Sequence, residues 1–186
     1  MRLFAATLAA LAIAVPAAAV EMGDDGLHKP DWLRDTFRVM AEDLAEAKAE
    51  GRRMLVIWEQ RGCIYCSKMH EEVYPSPEVD ALIRERYYVV QMNLFGDVEV
   101  TDFDGTALPE KEMAARWGVL FTPTLMFMPE EVPEGGTAAE AAVAVMPGAF
   151  GKLTTRNLLR WVLEKGYEGD EHFQKYHARN LDSSGD

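Results

Sequence analysis

Residues 54–66 read MLVIWEQRGCIYC, and this stretch indicates the fold of the chain more clearly than any other. The continuous apolar run Met54–Trp58 is typical of a strand that is buried on both faces of a sheet. Gly62 interrupts the run, and the pattern then predicts a helix that begins at or near Cys63 and extends towards Val73. The stretch also holds both cysteines of the chain, spaced as Cys-x-x-Cys at the start of that helix.

Two cysteines at this spacing and place have a chemical rationale as a redox pair. Free backbone N–H groups and the dipole at a helix N-terminus favour a thiolate, so Cys63 is the candidate attacking thiolate and is expected to be exposed. Cys66, one turn further on, is expected to be shielded and to resolve a mixed disulfide formed on Cys63. The positive charges of Arg61 and Lys68 favour the thiolate, whereas the negative charge of Glu59 opposes it. The sequence therefore predicts a Cys63–Cys66 dithiol–disulfide cycle.

Two other interpretations of the cysteine pair stay open. One is a purely structural disulfide, although a loop of two residues removes little entropy from the unfolded chain. The other is a copper-binding or metallochaperone module, because Cys63, Cys66 and His70 fall at i, i+3 and i+7 on one helical face and would suit Cu(I) or Zn. No second Cys or His cluster supplies a fourth ligand, so we predict no metal and expect His70 at the surface or behind the cysteines. Covalent haem is disfavoured because Ser67 stands where Cys-x-x-Cys-His needs histidine, and we predict no cofactor.

The composition of the chain narrows the classes of function. The chain has 186 residues, with 19 Lys and Arg against 31 Asp and Glu and a formal net charge of -12. This length suits one ordinary domain. An acidic surface repels phosphate backbones, so nucleic acid is not an expected partner.

Residues 1–19 are predicted to be a secretory signal peptide. Arg2 gives a short positive start, an apolar run extends from Leu3 to Val15, and small residues lead to a cleavage point after Ala19. An uncleaved membrane span is the alternative, but the apolar run is shorter than the about 20 residues that a bilayer needs. We therefore expect a periplasmic protein that is not stably inserted in the membrane after cleavage.

The rest of the chain alternates helical and strand patterns within one domain, which predicts an α/β fold with a central mixed β-sheet, flanking helices and a hairpin insert. A Cys-x-x-Cys after the first central strand of such a pattern is typical of a thioredoxin-like fold. We divide the chain into a flexible lead-in (20–30), a thioredoxin-like domain (31–166) and a C-terminal helical extension with a polar tail (167–186). The predicted helices cover 31–51, 63–73, 78–86, 109–118, 154–165 and 173–181, and the predicted strands cover 54–58, 87–94, 98–101 with its Asp-Gly turn at 104–105, 121–128 and 142–146.

Pro123, near the start of the predicted strand 121–128, is a second candidate site element. In a thioredoxin-like fold a cis proline here would lie beside the cysteines and leave the backbone of Thr122 free to pair with an extended substrate. The alternative is a trans proline at a strand start, where proline is tolerated. We expect Thr122 and Pro123, together with Ile64 and Tyr65, to contact the substrate.

The order of these motifs resembles the thioredoxin superfamily between Asp31 and Lys165. Residues 58–70 (WEQRGCIYCSKMH), with 100–105 (VTDFDG) and 121–124 (FTPT), are similar to the SoxW-type proteins, which are periplasmic thioredoxins associated with sulfur-oxidation systems. The resemblance implies a thiol–disulfide reductase that acts on exported disulfide-containing proteins. It also implies recharging by an inner-membrane thiol electron carrier.

Two positions depart from general thioredoxin. Residues 63–66, Cys-Ile-Tyr-Cys, replace its Cys-Gly-Pro-Cys, and the intervening pair tunes the redox potential. The buried acid of the preceding strand would fall at Ile57, which cannot move a proton. Glu59, two residues on and therefore on the same strand face, is a candidate general base for Cys66. The alternative for Glu59 is a solvated carboxylate with no catalytic part.

Overall fold

A four-stranded mixed β-sheet lies at the centre of the computed structural model, which describes residues 20–181. In chain order the elements are α1 (Met40–Ala49), β1 (Arg53–Glu59), α2 (Ile64–Lys68), a π-helical turn (Met69–Val73), α3 (Pro77–Arg86), β2 (Tyr87–Asn93), β3 (Glu99–Thr101), β4 (Ala107–Pro109), α4 (Glu110–Arg116), β5 (Thr124–Phe127), α5 (Ala138–Ala141), β6 (Ala144–Pro147), α6 (Lys152–Leu163), a 3₁₀ turn (Gly166–Glu168) and α7 (Phe173–Leu181). The signal peptide predicted for 1–19 and the polar end from residue 182 lie outside the described residues.

The strand order β2-β1-β5-β6 makes β1 a central strand of the sheet. β1 pairs in parallel with β2 and antiparallel with β5, and β6 pairs antiparallel with β5. Every residue of β1 is buried, which accounts for its continuous apolar sequence. Strands β3 and β4 form a separate antiparallel hairpin. The predicted α/β fold, with its mixed sheet, flanking helices and hairpin insert, is confirmed.

Alternate side chains of β1 enter two hydrophobic clusters. Val56 and Trp58 belong to the cluster that contains residues of α1 and α4. Leu55 and Ile57 belong to the cluster that contains residues of the π-helical turn, α3 and α6. Burial of a Val, Leu or Ile side chain contributes about 1.5–3 kcal/mol to the free energy of unfolding. Packing on both faces therefore holds β1 in place and positions the loop that follows it.

The first helix is shorter than the sequence pattern predicts, and the predicted start at Asp31 is wrong. Helix α1 begins at Met40. The preceding residues instead run beside the sheet, where Leu33 forms an isolated parallel bridge with Val89 of β2. Phe37, which supports the helical periodicity, is 93% exposed and therefore does not belong to a buried helix face. Pairing with the sheet therefore replaces helical hydrogen bonds in this stretch.

The lead-in at residues 20–30 is packed against the domain, although its composition predicts a flexible segment. Leu27 is 2% exposed. The Arg61 guanidinium donates hydrogen bonds to the backbone carbonyls of Asp24 at 2.8 Å and Asp25 at 3.3 Å. Burial of Leu27 and the hydrogen bonds from Arg61 hold the segment in place. The polar, glycine-rich composition of the segment gives no sign of either interaction.

The carboxylate of Asp102 fastens the β3–β4 hairpin to the domain. Its Oδ2 accepts a hydrogen bond from the indole Nε1–H of Trp117 at 2.7 Å. Its Oδ1 accepts hydrogen bonds from the backbone N–H groups of Ala138 and Phe103, both at 2.8 Å. Ala138 begins α5, a short helix with a capping box inside the stretch 129–140, which the composition predicts to be a loop.

Asp43 on α1 should make the stability of the protein depend on pH. The side chain is 4% exposed and accepts a hydrogen bond from Thr36 Oγ1 at 3.0 Å. Burial, together with the nearby Glu46, raises the pKa of Asp43 from 3.8 to about 6. Because the raised pKa means that the fold disfavours the ionised form, stability is full below pH 3.8 and is lost as the pH rises through about 6.

Asp43→Asn should therefore be more stable than the wild type above the folded-state pKa, by up to about 3 kcal/mol, with no advantage at low pH. Denaturant unfolding across this pH range measures the difference. Glu85→Gln, at an exposed position of α3 that does not act on Asp43, is the control and should show no such difference from the wild type. Parallel stability curves for Asp43→Asn and the wild type would contradict the prediction.

Within residues 20–181, no helix has both the length and the apolar character needed to cross a membrane.

Candidate active site

The two cysteines form a disulfide at the start of α2. Cys63 is the N-cap residue of α2, and the backbone N–H of Cys66 donates to the Cys63 sulfur at 3.0 Å. Gly62, which precedes the pair, has a φ of 72°, a conformation that favours glycine. Cys63 is 8% exposed and Cys66 is 2% exposed, so Cys63 is much less open than expected but remains the more accessible of the two.

The loop before β5 brings Thr122 and Pro123 next to Cys63. The Thr122–Pro123 peptide bond is cis, so the alternative of a trans bond is wrong. The carbonyl oxygen of Thr122 lies 3.6 Å from the Cys63 sulfur, and the Thr122 hydroxyl donates to the same sulfur at 3.4 Å. The backbone N–H of Gly148 donates to the Pro123 carbonyl at 2.7 Å and ties this loop to the end of β6. Pairing of β1 with β5 is what brings these distant parts of the chain together.

Exposed apolar side chains flank both parts of the site. Ile64 and Tyr65, directly after Cys63, are 73% and 60% exposed. Leu120 and Phe121, directly before Thr122, are 74% and 63% exposed. We call these four residues the apolar rim. The sequence interpretation did not give Leu120 and Phe121 a role, although two consecutive large apolar residues in a loop are the signal that could have identified them.

Glu59, the last residue of β1, is buried rather than solvated. The side chain is 1% exposed, so the alternative of a solvated carboxylate is wrong. The Gln91 side-chain amide donates to Oε2 of Glu59 at 2.6 Å, and Nε2 of His70 lies 2.8 Å from Oε1. Glu59 and Ile57 are two residues apart in β1, so their side chains point to the same face of the sheet. On that face Ile57 packs in a cluster with Met69 and Val73 of the π-helical turn.

His70 lies in the π-helical turn and is 2% exposed, so of its two expected places the one at the surface is wrong. The ring of His28 stacks on it with a centroid distance of 4.5 Å, and Tyr74 contacts it edge-on at 5.0 Å. Its Nε2 is paired with Glu59. In the part of the chain that the structure describes, no group of three or more His, Cys, Asp or Glu residues is arranged to hold a metal ion.

Two pKa values next to this pair are displaced. Burial lowers the pKa of His28, and the neighbouring His70 adds to the effect. Burial also raises the pKa of Tyr74 well above its usual range, with a further contribution from the Glu59 carboxylate. Both side chains are therefore uncharged over a wider range of pH than free histidine and tyrosine.

A cysteine pair at a helix N-terminus, beside a cis-proline loop and an apolar rim, defines a thiol–disulfide oxidoreductase. A sequence profile of the thioredoxin-like domain matches residues 40–146, and the chain belongs to that family. No curated protein matches the chain.

Solved structures agree with the fold. A thioredoxin-fold protein from Helicobacter pylori is 17% identical, with a TM-score of 0.56 over 80% of this chain and 98% of its own. A thioredoxin from Thermus thermophilus is 28% identical, with a TM-score of 0.51 over 69% of this chain and 86% of its own.

Proposed function

We propose that the protein is an exported thiol–disulfide oxidoreductase that works mainly as a reductant of protein disulfides. The observation that carries the proposal is the position of the Cys63 sulfur, within 3.6 Å of the Thr122 carbonyl. An extended substrate lying along Thr122 would bring its disulfide to the more accessible of the two cysteines.

The reaction begins from the dithiol form. The Cys63 thiolate attacks one sulfur of the substrate disulfide, and the other substrate sulfur leaves with the electron pair of the broken bond and takes up a proton. The Cys66 sulfur then attacks Cys63, which forms the Cys63–Cys66 disulfide and releases the second substrate sulfur. Two electrons pass from the protein to the substrate. The N–H of Cys66, which lies 3.0 Å from the Cys63 sulfur, favours the attacking thiolate.

The apolar rim and the Thr122 loop are the proposed substrate-binding surface. Ile64 and Tyr65 would contact apolar side chains that flank the substrate disulfide, while Thr122 and Pro123 present backbone beside it. Within the described range 20–181, the N–H of Thr122 makes no hydrogen bond and is open to a substrate carbonyl. Exposed apolar surface of this kind is typical of sites that bind other proteins.

Glu59 is the proposed proton acceptor for Cys66. Its carboxylate is buried, lies at the end of the strand that precedes the cysteines, and is paired with a residue one helical turn beyond Cys66. A carboxylate in this position can take the thiol proton directly or through one water molecule.

The cellular setting is proposed from the predicted signal peptide and the SoxW resemblance. We infer a periplasmic protein that reduces disulfides in other exported proteins, including components of a sulfur-oxidation system, and receives its electrons from an inner-membrane thiol carrier. Expression of the full chain, followed by mass determination of the exported product, tests this setting. A mature protein that begins at Val20 supports it, and an uncleaved chain retained in the cell contradicts it.

The reduction potential of the Cys63–Cys66 pair tests the direction of electron flow. We expect a potential near the about -270 mV of thioredoxin, measured by equilibration with glutathione or dithiothreitol buffers. Insulin reduction by the dithiol form should accompany it. A potential near the about -120 mV of strong oxidants would overturn the proposal that the protein is a reductant.

A further inference from the structure

The carboxylate of Glu59 is held by donors on both oxygens. The Gln91 amide that donates to Oε2 also donates to the His28 carbonyl at 2.9 Å, and its own oxygen accepts from Lys29 Nζ at 2.7 Å. Gln91 is thus fixed as a donor towards Glu59. In the acceptor role proposed above, the Glu59 carboxylate accepts hydrogen bonds, and its contact with His70 then assigns the imidazole proton to Nε2.

His70 connects this carboxylate to the redox helix. Cys66 lies in α2, and His70 follows four residues later in the π-helical turn that continues directly from α2. Each is 2% exposed. Glu59, at the end of the strand that leads to the cysteines, meets His70 at 2.8 Å, so the carboxylate contacts the helical segment that contains Cys66.

The orientation of the His70 ring is set from the N-terminal part of the chain. His28 stacks on the ring at an interplanar angle of 13°, and Trp32 lies parallel to it within 5° at a centroid distance of 6.2 Å. A cavity of about 390 Å³, lined in part by Trp32, His70 and Tyr74, reaches the ring from this side. His28, in the predicted lead-in, and Trp32, just after it, therefore cover the His70 ring, and the cavity leaves a path by which water can approach it.

We propose that His70 is a positioning residue for the resolving step. Its Nε2–H donates to Oε1 of Glu59 and holds the carboxylate in place as the proton acceptor for Cys66, and the rings of His28 and Trp32 hold the imidazole in place. This inference rests on the proposed function, with Glu59 as the proton acceptor.

The Cys66 thiol passes its proton to Glu59, and the Cys66 sulfur attacks the sulfur of Cys63 in the mixed disulfide. The Cys63–Cys66 bond forms as the Cys63–substrate bond breaks. The substrate sulfur leaves with the electron pair and takes up a proton from water, and Glu59 later returns its own proton to water.

The other titratable groups near the pair come from two segments. His28 and Lys29 approach from the N-terminal segment, where burial lowers the pKa of His28 and Lys29 is paired with Asp25 at 2.6 Å. Glu71 and Tyr74 follow His70 on the helical side, where Glu71 is exposed and the raised pKa of Tyr74 keeps it neutral. Glu59 is the buried carboxyl group among these residues, so the proton of Cys66 has one buried carboxylate acceptor in this set.

The experiment follows the two steps separately. The reduced full-length protein is mixed with one equivalent of Ellman's reagent across a range of pH. The first thionitrobenzoate released reports attack by Cys63, and the second reports resolution by Cys66. His70→Phe keeps a ring for stacking but removes the N–H donor, whereas His70→Gln keeps a donor. Gln91→Met removes the other donor without changing the helix.

We expect His70→Phe to leave the first phase unchanged, to slow the second about tenfold at neutral pH and to displace its pH profile to higher pH. His70→Gln should restore most of the rate, and Gln91→Met should shift the profile in the same direction as His70→Phe. A second-phase profile in His70→Phe that overlays that of the wild type, or no rescue by His70→Gln, overturns the proposal.

The two thionitrobenzoate phases and insulin reduction test the positioning role of His70 separately from the proposed function. A purely structural role would slow both phases together and would not move the pH profile. Glu59→Gln removes the proton acceptor and shows the pH profile of the second phase in its absence. The second-phase profile of His70→Phe should lie close to that of Glu59→Gln. If the wild type itself releases no second thionitrobenzoate and does not reduce insulin, the proposed function fails. If both occur but the His70 variants match the wild type, only the positioning role fails.

Discussion

Cys66→Ser is expected to convert the protein into a trap that stays joined to its substrates through Cys63 and has no measurable insulin reductase turnover. Serine cannot attack the mixed disulfide, so the reaction stops after the first step. Non-reducing electrophoresis and mass spectrometry of periplasmic extracts should detect adducts that dithiothreitol releases.

Cys63→Ser is the matched control, because it removes the attacking sulfur and leaves the buried one. It should lose turnover equally but form no adducts, since Cys66 is 2% exposed. Both serine variants should fold, which circular dichroism can check against the reduced wild type. Equal adduct formation by the two variants would show that the roles of the cysteines are not those proposed.

Asp102→Ala is expected to reduce the free energy of unfolding by about 3–5 kcal/mol. The substitution leaves the buried indole N–H of Trp117 and the backbone N–H of Ala138 without their acceptor. It also disconnects the hairpin from α4 and α5. Urea unfolding of the oxidised protein, followed by tryptophan fluorescence, measures the change.

Asp104→Ala in the same turn is the control. Asp104 is exposed, and its partners are the side chain of Arg116 and the backbone N–H of Thr106. Exposed ion pairs contribute about 0–1 kcal/mol, so this variant should remain close to the wild type. Similar losses in the two variants would mean that the turn itself, rather than the buried carboxylate, stabilises the hairpin.

The sequence predicted the central part of the fold because its signals are local and strong. The apolar run of β1 and the glycine that ends it are legible without knowledge of tertiary contacts. The same is true of the cysteine spacing. Helix α1 was misplaced at its start because Phe37 fits a helical period without being buried, and periodicity alone cannot distinguish these cases.

The site was predicted only where one short motif carries it. Cys63, Cys66 and Pro123 are recognisable from spacing and order. The burial of Glu59 and His70 depends on Gln91 and His28, which lie 32 residues after and 31 residues before Glu59 and carry no motif. Long-range partners of this kind become visible only when the sheet register and the path of residues 20–34 are known.

Because His70 lies in the π-helical turn Met69–Val73, the direction of its side chain depends on the number of residues in the chain here as well as on their identity. A π turn holds one more residue than regular winding needs, and each residue of an α-helix advances the chain by about 100°. Removing one residue between Cys66 and His70 would rotate the histidine position by about 100° around the helix axis and turn it away from Glu59. A relative one residue shorter here could keep both cysteines and the histidine yet lose their shared alignment, so an alignment gap at this point is as informative as a substitution.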